Sequence, residues 1–106
     1  SMGSSGDIVK AFACGADAAM VGSVFARATD APGKGAHWGA EAWHRELPRG
    51  ERHLMDQVGT FAEIMTGPSH RADGTVNIVG ALRKAMATTG YSDLKEFQRV
   101  DMVATN

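Results

Sequence analysis

With 106 residues, 43% of them hydrophobic and 22% charged, the chain has the composition of an ordinary soluble globular protein and the length of one domain. Its 11 basic and 12 acidic residues leave a net charge of -1 with no single-sign stripe, which excludes a nucleic-acid binder but leaves a single phosphate monoester within reach. One cysteine rules out an internal disulfide, no apolar run approaches the roughly 20 residues of a membrane span, and no signal-peptide pattern opens the chain, so the expected compartment is the cytosol.

Taken in chain order, Ser5-Gly6-Asp7 offers an N-cap serine and an acidic first turn, and Ile8, Val9, Phe12 and Ala13 recur at helical spacing until Gly15. Ala18 to Val21 is a short apolar run between Asp17 and Gly22, which predicts a strand buried on both faces. Gly22-Ser23 then turns into a short helix over Val24 to Ala28, whose free N–H groups would point back at the Gly-Ser corner and suit an anion. A Gly/Ser loop, a helix, a strand and a second Gly-Ser turn in this order look like the last phosphate-gripping unit of a (β/α)₈ barrel. The fold class is therefore α/β, and 106 residues against the roughly 250 of a whole barrel make the chain a C-terminal fragment of a TIM barrel, all of it within one catalytic domain.

Residues 29–59 read as a long irregular middle holding both tryptophans and three of the four histidines. Thr60-Phe61-Ala62-Glu63 is a capping-box pattern that starts a helix running to Thr66, before Gly67-Pro68. Ile78, Val79, Leu82, Ala85 and Met86 mark the clearest helix, within Val76 to Thr89 and ended by Gly90. Ser92 is expected to cap a further turn through Phe97, and Val100 to Val103 to form a terminal strand.

Several of these segments resemble the IMP dehydrogenase/GMP reductase family: Ser5 to Ala11, Gly15-Ala16-Asp17-Ala18, Met20-Val21-Gly22-Ser23, Ala31-Pro32-Gly33, His37 to Glu41, and Val79-Gly80-Ala81-Leu82-Arg83 with Met86 and Gly90. The likeness is to the IMP dehydrogenase-related branch whose chains lack the regulatory CBS pair. It implies that a nucleotide 5′-phosphate is held by Ser1 and Gly3 of one loop and Gly22 and Ser23 of the next, where glycine admits the anion and serine adds donors without bulk. His37 stands where the family has an aromatic hydroxyl that reaches the phosphate. Gly39, Ala40 and Glu41 become base contacts, although the family's methionine is missing there.

His70-Arg71-Ala72-Asp73-Gly74 resembles the flap motif of GMP reductases, which makes Asp73 and Gly74 base contacts and Arg71 or His70 the candidate catalytic groups. The longer dehydrogenase flap, whose arginine and tyrosine activate water, has no counterpart. The resemblance implies an oxidoreductase that converts IMP to XMP with NAD⁺, using a catalytic cysteine from an upstream loop. The alternatives are a GMP reductase using NADPH and a non-catalytic purine-nucleotide-binding protein. The family also implies a homotetramer, with no nucleic-acid or membrane partner. On its own the fragment is expected to be inactive, and unfolded unless joined to its upstream half.

The remaining residues have simpler expectations. Cys14 reads as a buried structural thiol, and Trp38 and Trp43 as packing anchors. The histidines 37, 44, 53 and 70 lack metal-ligand spacing. Asp7 is expected to serve a helix N-terminus, Leu82 and Met86 the core, and Arg83, Lys84, Lys95 and Arg99 a solvated face.

Overall fold

The structure is a computed structural model that describes residues 2–39 and 43–105. The first helix, α1, spans Ser5–Ala13. Its cap is Ser4 rather than Ser5, and the organising group is Asp7, whose carboxylate accepts the Gly3 N–H at 3.1 Å and the Ser4 hydroxyl at 3.4 Å. The helix ends as the Gly15 signal requires. Gly15 takes φ 107°, its N–H donates to the Phe12 carbonyl, and the Ala16 N–H donates to the Ala11 carbonyl, both at 3.0 Å.

From Asp17 the chain runs without regular structure to Gly22, so the strand expected over Ala18 to Val21 is not formed. A strand needs a neighbour for its N–H and C=O groups, and none of the described residues pairs with this run. Its side chains still alternate. Ala19 and Val21 pack on the core, whereas Ala18 is exposed and Met20 is 88% exposed, which corrects the expectation of burial on both faces. Helix α2 follows over Ser23–Ala26, with Gly22 as its cap and Val24 buried beneath it.

The middle of the chain is more ordered than its composition suggests. Strands β1 (Ala36–His37) and β2 (His53–Leu54) pair antiparallel, with Ala36 opposite Leu54 and His37 opposite His53. Gly35 makes the approach feasible, because a Cβ there would collide with the Met55 carbonyl and its φ of 96° suits glycine. A single parallel bridge joins Ala28 to Gly59.

Helix α3 (Phe61–Thr66) carries the predicted capping box in full. The Thr60 hydroxyl accepts the Glu63 N–H at 3.1 Å, and the Glu63 carboxylate accepts the Thr60 N–H at 3.0 Å. Asp30 adds a second cap by accepting the Phe61 N–H at 2.9 Å. Helix α4 (Ile78–Thr89) starts two residues later than predicted, and its cap is Asn77, whose side chain accepts the Gly80 N–H at 3.0 Å and whose own N–H donates to the Glu63 carbonyl. Gly90, at φ 88°, ends it. Helix α5 (Leu94–Phe97) is capped by Asp93 rather than Ser92, and residues 100–103 form no strand.

One core joins these pieces: Ile8, Val24, Ala28, Val58, Ile64, Val76 and Ile78, with Met2, Phe12, Ala19, Val21, Phe25 and Ala31 packed around them. Leu82 and Met86 are half-buried and do not belong to it, which corrects the expectation that they serve the core. The described residues thus form a small α/β piece with no closed barrel and no parallel sheet.

Candidate functional site

The two Gly-Ser turns are carried by the same core. Met2, beside Gly3, and Val21, beside Gly22, both pack against it, so the turns rise from one hydrophobic base. Gly22 caps α2, and the first N–H groups of any helix have no carbonyl behind them, which turns Ser23 and its neighbours into donors toward the Gly22 corner. The first turn differs: the Gly3 N–H already donates to Asp7. Ser1 lies outside the described residues.

His37 sits in β1, which packs on α2 and is joined to it by the Gly35 N–H donating to the Ala26 carbonyl at 2.9 Å. Its ring stacks on His53, with centroids 5.3 Å apart and planes inclined by 29°. Nδ1 accepts the Gly39 N–H at 3.1 Å, so in this arrangement the neutral ring carries its proton on Nε2 and offers a donor there. Gly39 is exposed with φ 65°, and its predicted companions Ala40 and Glu41 lie outside the described residues.

The segment from His70 to Gly74 is fastened at both ends. At the far end, the Ser5 N–H donates to the Gly74 carbonyl at 2.7 Å. A Cβ at Gly74 would sit 3.1 Å from Ser4 Cβ and Ser5 Oγ, so only glycine lets the segment lie this close to the first turn. At the near end, His70 Nδ1 stands 3.9 Å from Glu63 Oε2, and its ring lies over Gly59. The hydrogen bonds from the Thr60 backbone and hydroxyl hold the Glu63 carboxyl below the usual carboxylate range, with His70 adding in the same direction.

Between these ends Arg71 and Asp73 form a close pair. Arg71 Nε and Nη2 donate to the same carboxylate oxygen at 3.1 and 2.7 Å. The other oxygen accepts the Thr75 hydroxyl at 2.6 Å and the Thr75 N–H at 3.2 Å. These bonds, the Arg71 pair first, hold the Asp73 carboxyl far below the usual carboxylate range and raise the affinity of Arg71 for its proton.

The structure therefore brings Gly74 to the first Gly-Ser turn, with the Arg71–Asp73 pair just before it in the chain, places Gly22, Ser23 and His37 around α2, and sets His70 on the α3 side. Sequence reasoning passed over Ser5 as a backbone anchor, His53 as the partner of His37, and Thr75 as the second holder of Asp73. The Glu63 capping signal was visible, but its approach to His70 depends on how the flap folds back.

Other expectations need correction. Cys14 is exposed, because α1 ends at Ala13 and leaves it in the turn. Trp43 is largely exposed and anchors no packing, while Trp38 is half-buried beneath the Arg49 guanidinium, 4.3 Å from the ring centroid. Arg83, Lys84, Lys95 and Arg99 are all exposed, as expected. Among the described residues no group of three or more His, Cys, Asp or Glu is arranged to hold a metal, and no helix is long and apolar enough to cross a membrane.

Comparison with known proteins gives a consistent result. A family model described as IMP dehydrogenase / GMP reductase domain matches residues 1–105. An uncharacterized oxidoreductase of Mycolicibacterium smegmatis is 46% identical over 101 residues, 93% of this chain and 27% of the relative. An inosine-5′-monophosphate dehydrogenase of Aquifex aeolicus is 31% identical, over 89% of this chain and 22% of its own length. The crystal structure of an IMP dehydrogenase/GMP reductase-like protein from Corynebacterium glutamicum superposes with a TM-score of 0.82 at 46% identity, covering 95% of this chain and 27% of that one. The chain thus spans about a quarter of the length of the proteins it matches.

Proposed function

Since this chain belongs to the IMP dehydrogenase/GMP reductase family, we propose that the intact protein is an oxidoreductase of purine 5′-monophosphates, IMP dehydrogenase-like, with this segment supplying the phosphate and base ends of the substrate site. The observation that supports this reading is the Ser5 N–H to Gly74 carbonyl bond, which fastens the base-side segment to the first Gly-Ser turn. A nucleotide 5′-phosphate would be held at Gly22, Ser23 and His37, where the start of α2, a hydroxyl and an imidazole N–H supply donors, with Ser1 and Gly3 contributed by the first loop once the Gly3 N–H turns from Asp7 to the phosphate. Asp73, Gly74 and the run from Gly39 to Glu41 would meet the base, with the free edges of the Arg71 guanidinium turned to the same nucleotide.

NAD, the hydride acceptor in this reading, is assigned to the rest of the intact protein. The proposal also takes the intact protein to be a cytosolic homotetramer.

Converting IMP to XMP requires a base to activate water. Arg71 is poorly suited to it, because Asp73 occupies one edge of its guanidinium and tightens its hold on the proton. His70, with Nδ1 toward Glu63 and half of its side chain exposed, is the better candidate. The commitment of Arg71 favours a second reading, GMP reductase with NADPH, which releases ammonia and needs no activated water. In that case His70 would protonate the departing amine.

The test is absorbance at 340 nm with the intact protein, once with IMP and NAD⁺ and once with GMP and NADPH. A rise in the first mixture establishes the dehydrogenase, and a fall in the second establishes the reductase. No change in either, with nucleotide still bound, leaves a binding protein without turnover.

A further inference from the structure

We propose that Thr75 is a positioning residue for Arg71, acting through the Asp73 carboxylate; the inference rests on the purine-nucleotide reading of this site. Thr75 is 3% exposed, although it stands in a segment whose neighbours from His70 to Asp73 are all exposed. Its backbone is fixed on both sides, by the Gly74 carbonyl bonded to Ser5 and by Val76 in the core. A hydroxyl on so rigid a base is a fixed donor, and it is spent entirely on Asp73 Oδ1, at 2.6 Å, together with the Thr75 N–H at 3.2 Å.

That leaves Asp73 Oδ2 to take Nε and Nη2 of Arg71. A guanidinium has five N–H donors in a rigid fork. Two are consumed on the carboxylate edge, so the plane is set and three remain on the other edges for a ligand. The chain of restraint runs from the core through Thr75 to Asp73 and ends at a guanidinium held in one orientation. Without the hydroxyl, the carboxylate keeps only a backbone donor on that side, and it can rotate and carry Arg71 with it.

Thr75→Val is the informative change, since it keeps the shape of the buried side chain and removes only the hydroxyl. In the intact protein it should raise the KM for the purine nucleotide about tenfold, as expected for a hydrogen bond to a charged group, with kcat little altered. Thr75→Ser should restore KM. In an Arg71→Lys background, where the fork is already lost, Thr75→Val should add clearly less than it does with Arg71 present, the remainder acting through Asp73 itself. A direct readout is the Arg71 Nε–H resonance under selective arginine labelling, identified by its loss in Arg71→Lys. It should be sharp in the wild type and in Thr75→Ser, and broadened in Thr75→Val.

An unchanged resonance in Thr75→Val overturns the inference whatever the enzyme does. So does an equal KM penalty with and without Arg71, which would make Thr75 merely structural. Failure of the wild type to act on or bind either nucleotide sinks the functional reading instead, and the resonance still decides whether Thr75 holds Arg71.

Discussion

Helices α3 and α4 and the extended run from Asp17 to Gly22 have comparable apolar content but opposite fates. The α3–α4 unit closes on itself: a capping box starts α3, the Asn77 N–H ties α4 back to the Glu63 carbonyl, and Ile64 between them is 0% exposed. The extended run satisfies half of its requirement. Ala19 and Val21 find the core, but Met20 faces solvent and the backbone has no neighbouring strand among the described residues. Helical elements draw their hydrogen bonds from within, so a fraction of a fold can complete them, whereas a strand depends on elements distant in sequence. In the intact protein the faces left open here are where the rest of the chain is expected to attach.

The sharpest break in this picture comes at the phosphate corner that follows the extended run. Ser23→Asp would set a carboxylate where the proposed phosphate lies and should weaken nucleotide binding by several kcal/mol, on the scale of like-charge juxtaposition. Titration of the intact protein with IMP or GMP checks it, and unchanged affinity would remove Ser23 from the site. Next in size is the contrast between the two regions themselves. Ile64→Ala should cost about 2–5 kcal/mol in denaturant unfolding, as for other large-to-small core changes. Met20→Ala, at a side chain 88% exposed here, should cost no more than about 0.5 kcal/mol wherever the missing neighbours are absent. In the intact protein the same Met20 change should cost much more, and equal effects in the two settings would show that Met20 never becomes buried.

A smaller loss is expected at the α3 cap. Thr60→Ala removes one half of the capping box and should cost about 1 kcal/mol. Asp30 still accepts the Phe61 N–H, so the helix should persist and the loss should fall at the lower end of the range for caps. Hydrogen exchange of the Glu63 amide, whose acceptor is the Thr60 hydroxyl, would report it locally.

What could be read from the sequence divides along the same line. Thr60 with Glu63, Gly15 and Gly90 were legible because each signal and its partner lie within a few residues. Caps were displaced by one residue at α1 and α5, where Ser4 and Asp93 compete with an adjacent serine and local chemistry does not rank them. The β1–β2 pair was illegible, since two-residue strands show no alternation and their partners are separated by a long loop. Cys14 was misjudged because the apolar stripe continues to Ala13 while the helix stops there. At the site, the family resemblance pointed to His37, Arg71, Asp73 and Gly74, but the contacts of His53 and Thr75 arise only when distant or buried groups are set in place.

The smallest expected effect concerns pH and the Arg71–Asp73–Thr75 group. The Arg71 guanidinium first, then the Thr75 hydroxyl and N–H, holds the Asp73 carboxyl well below its ordinary range in the folded state. A group whose folded pKa is depressed contributes stability that is fully present above its unfolded pKa, about 3.9 for aspartate, and is lost as pH falls toward the folded value. Wild type should therefore exceed Asp73→Asn in stability at neutral pH, and the gap should close as the solution is acidified below that range. Exposure of the pair to solvent keeps the gap small. Denaturant unfolding of both proteins from neutral to acid pH would show it. A gap independent of pH would mean that packing around the 73–75 turn, rather than the charge of Asp73, is what the substitution disturbs.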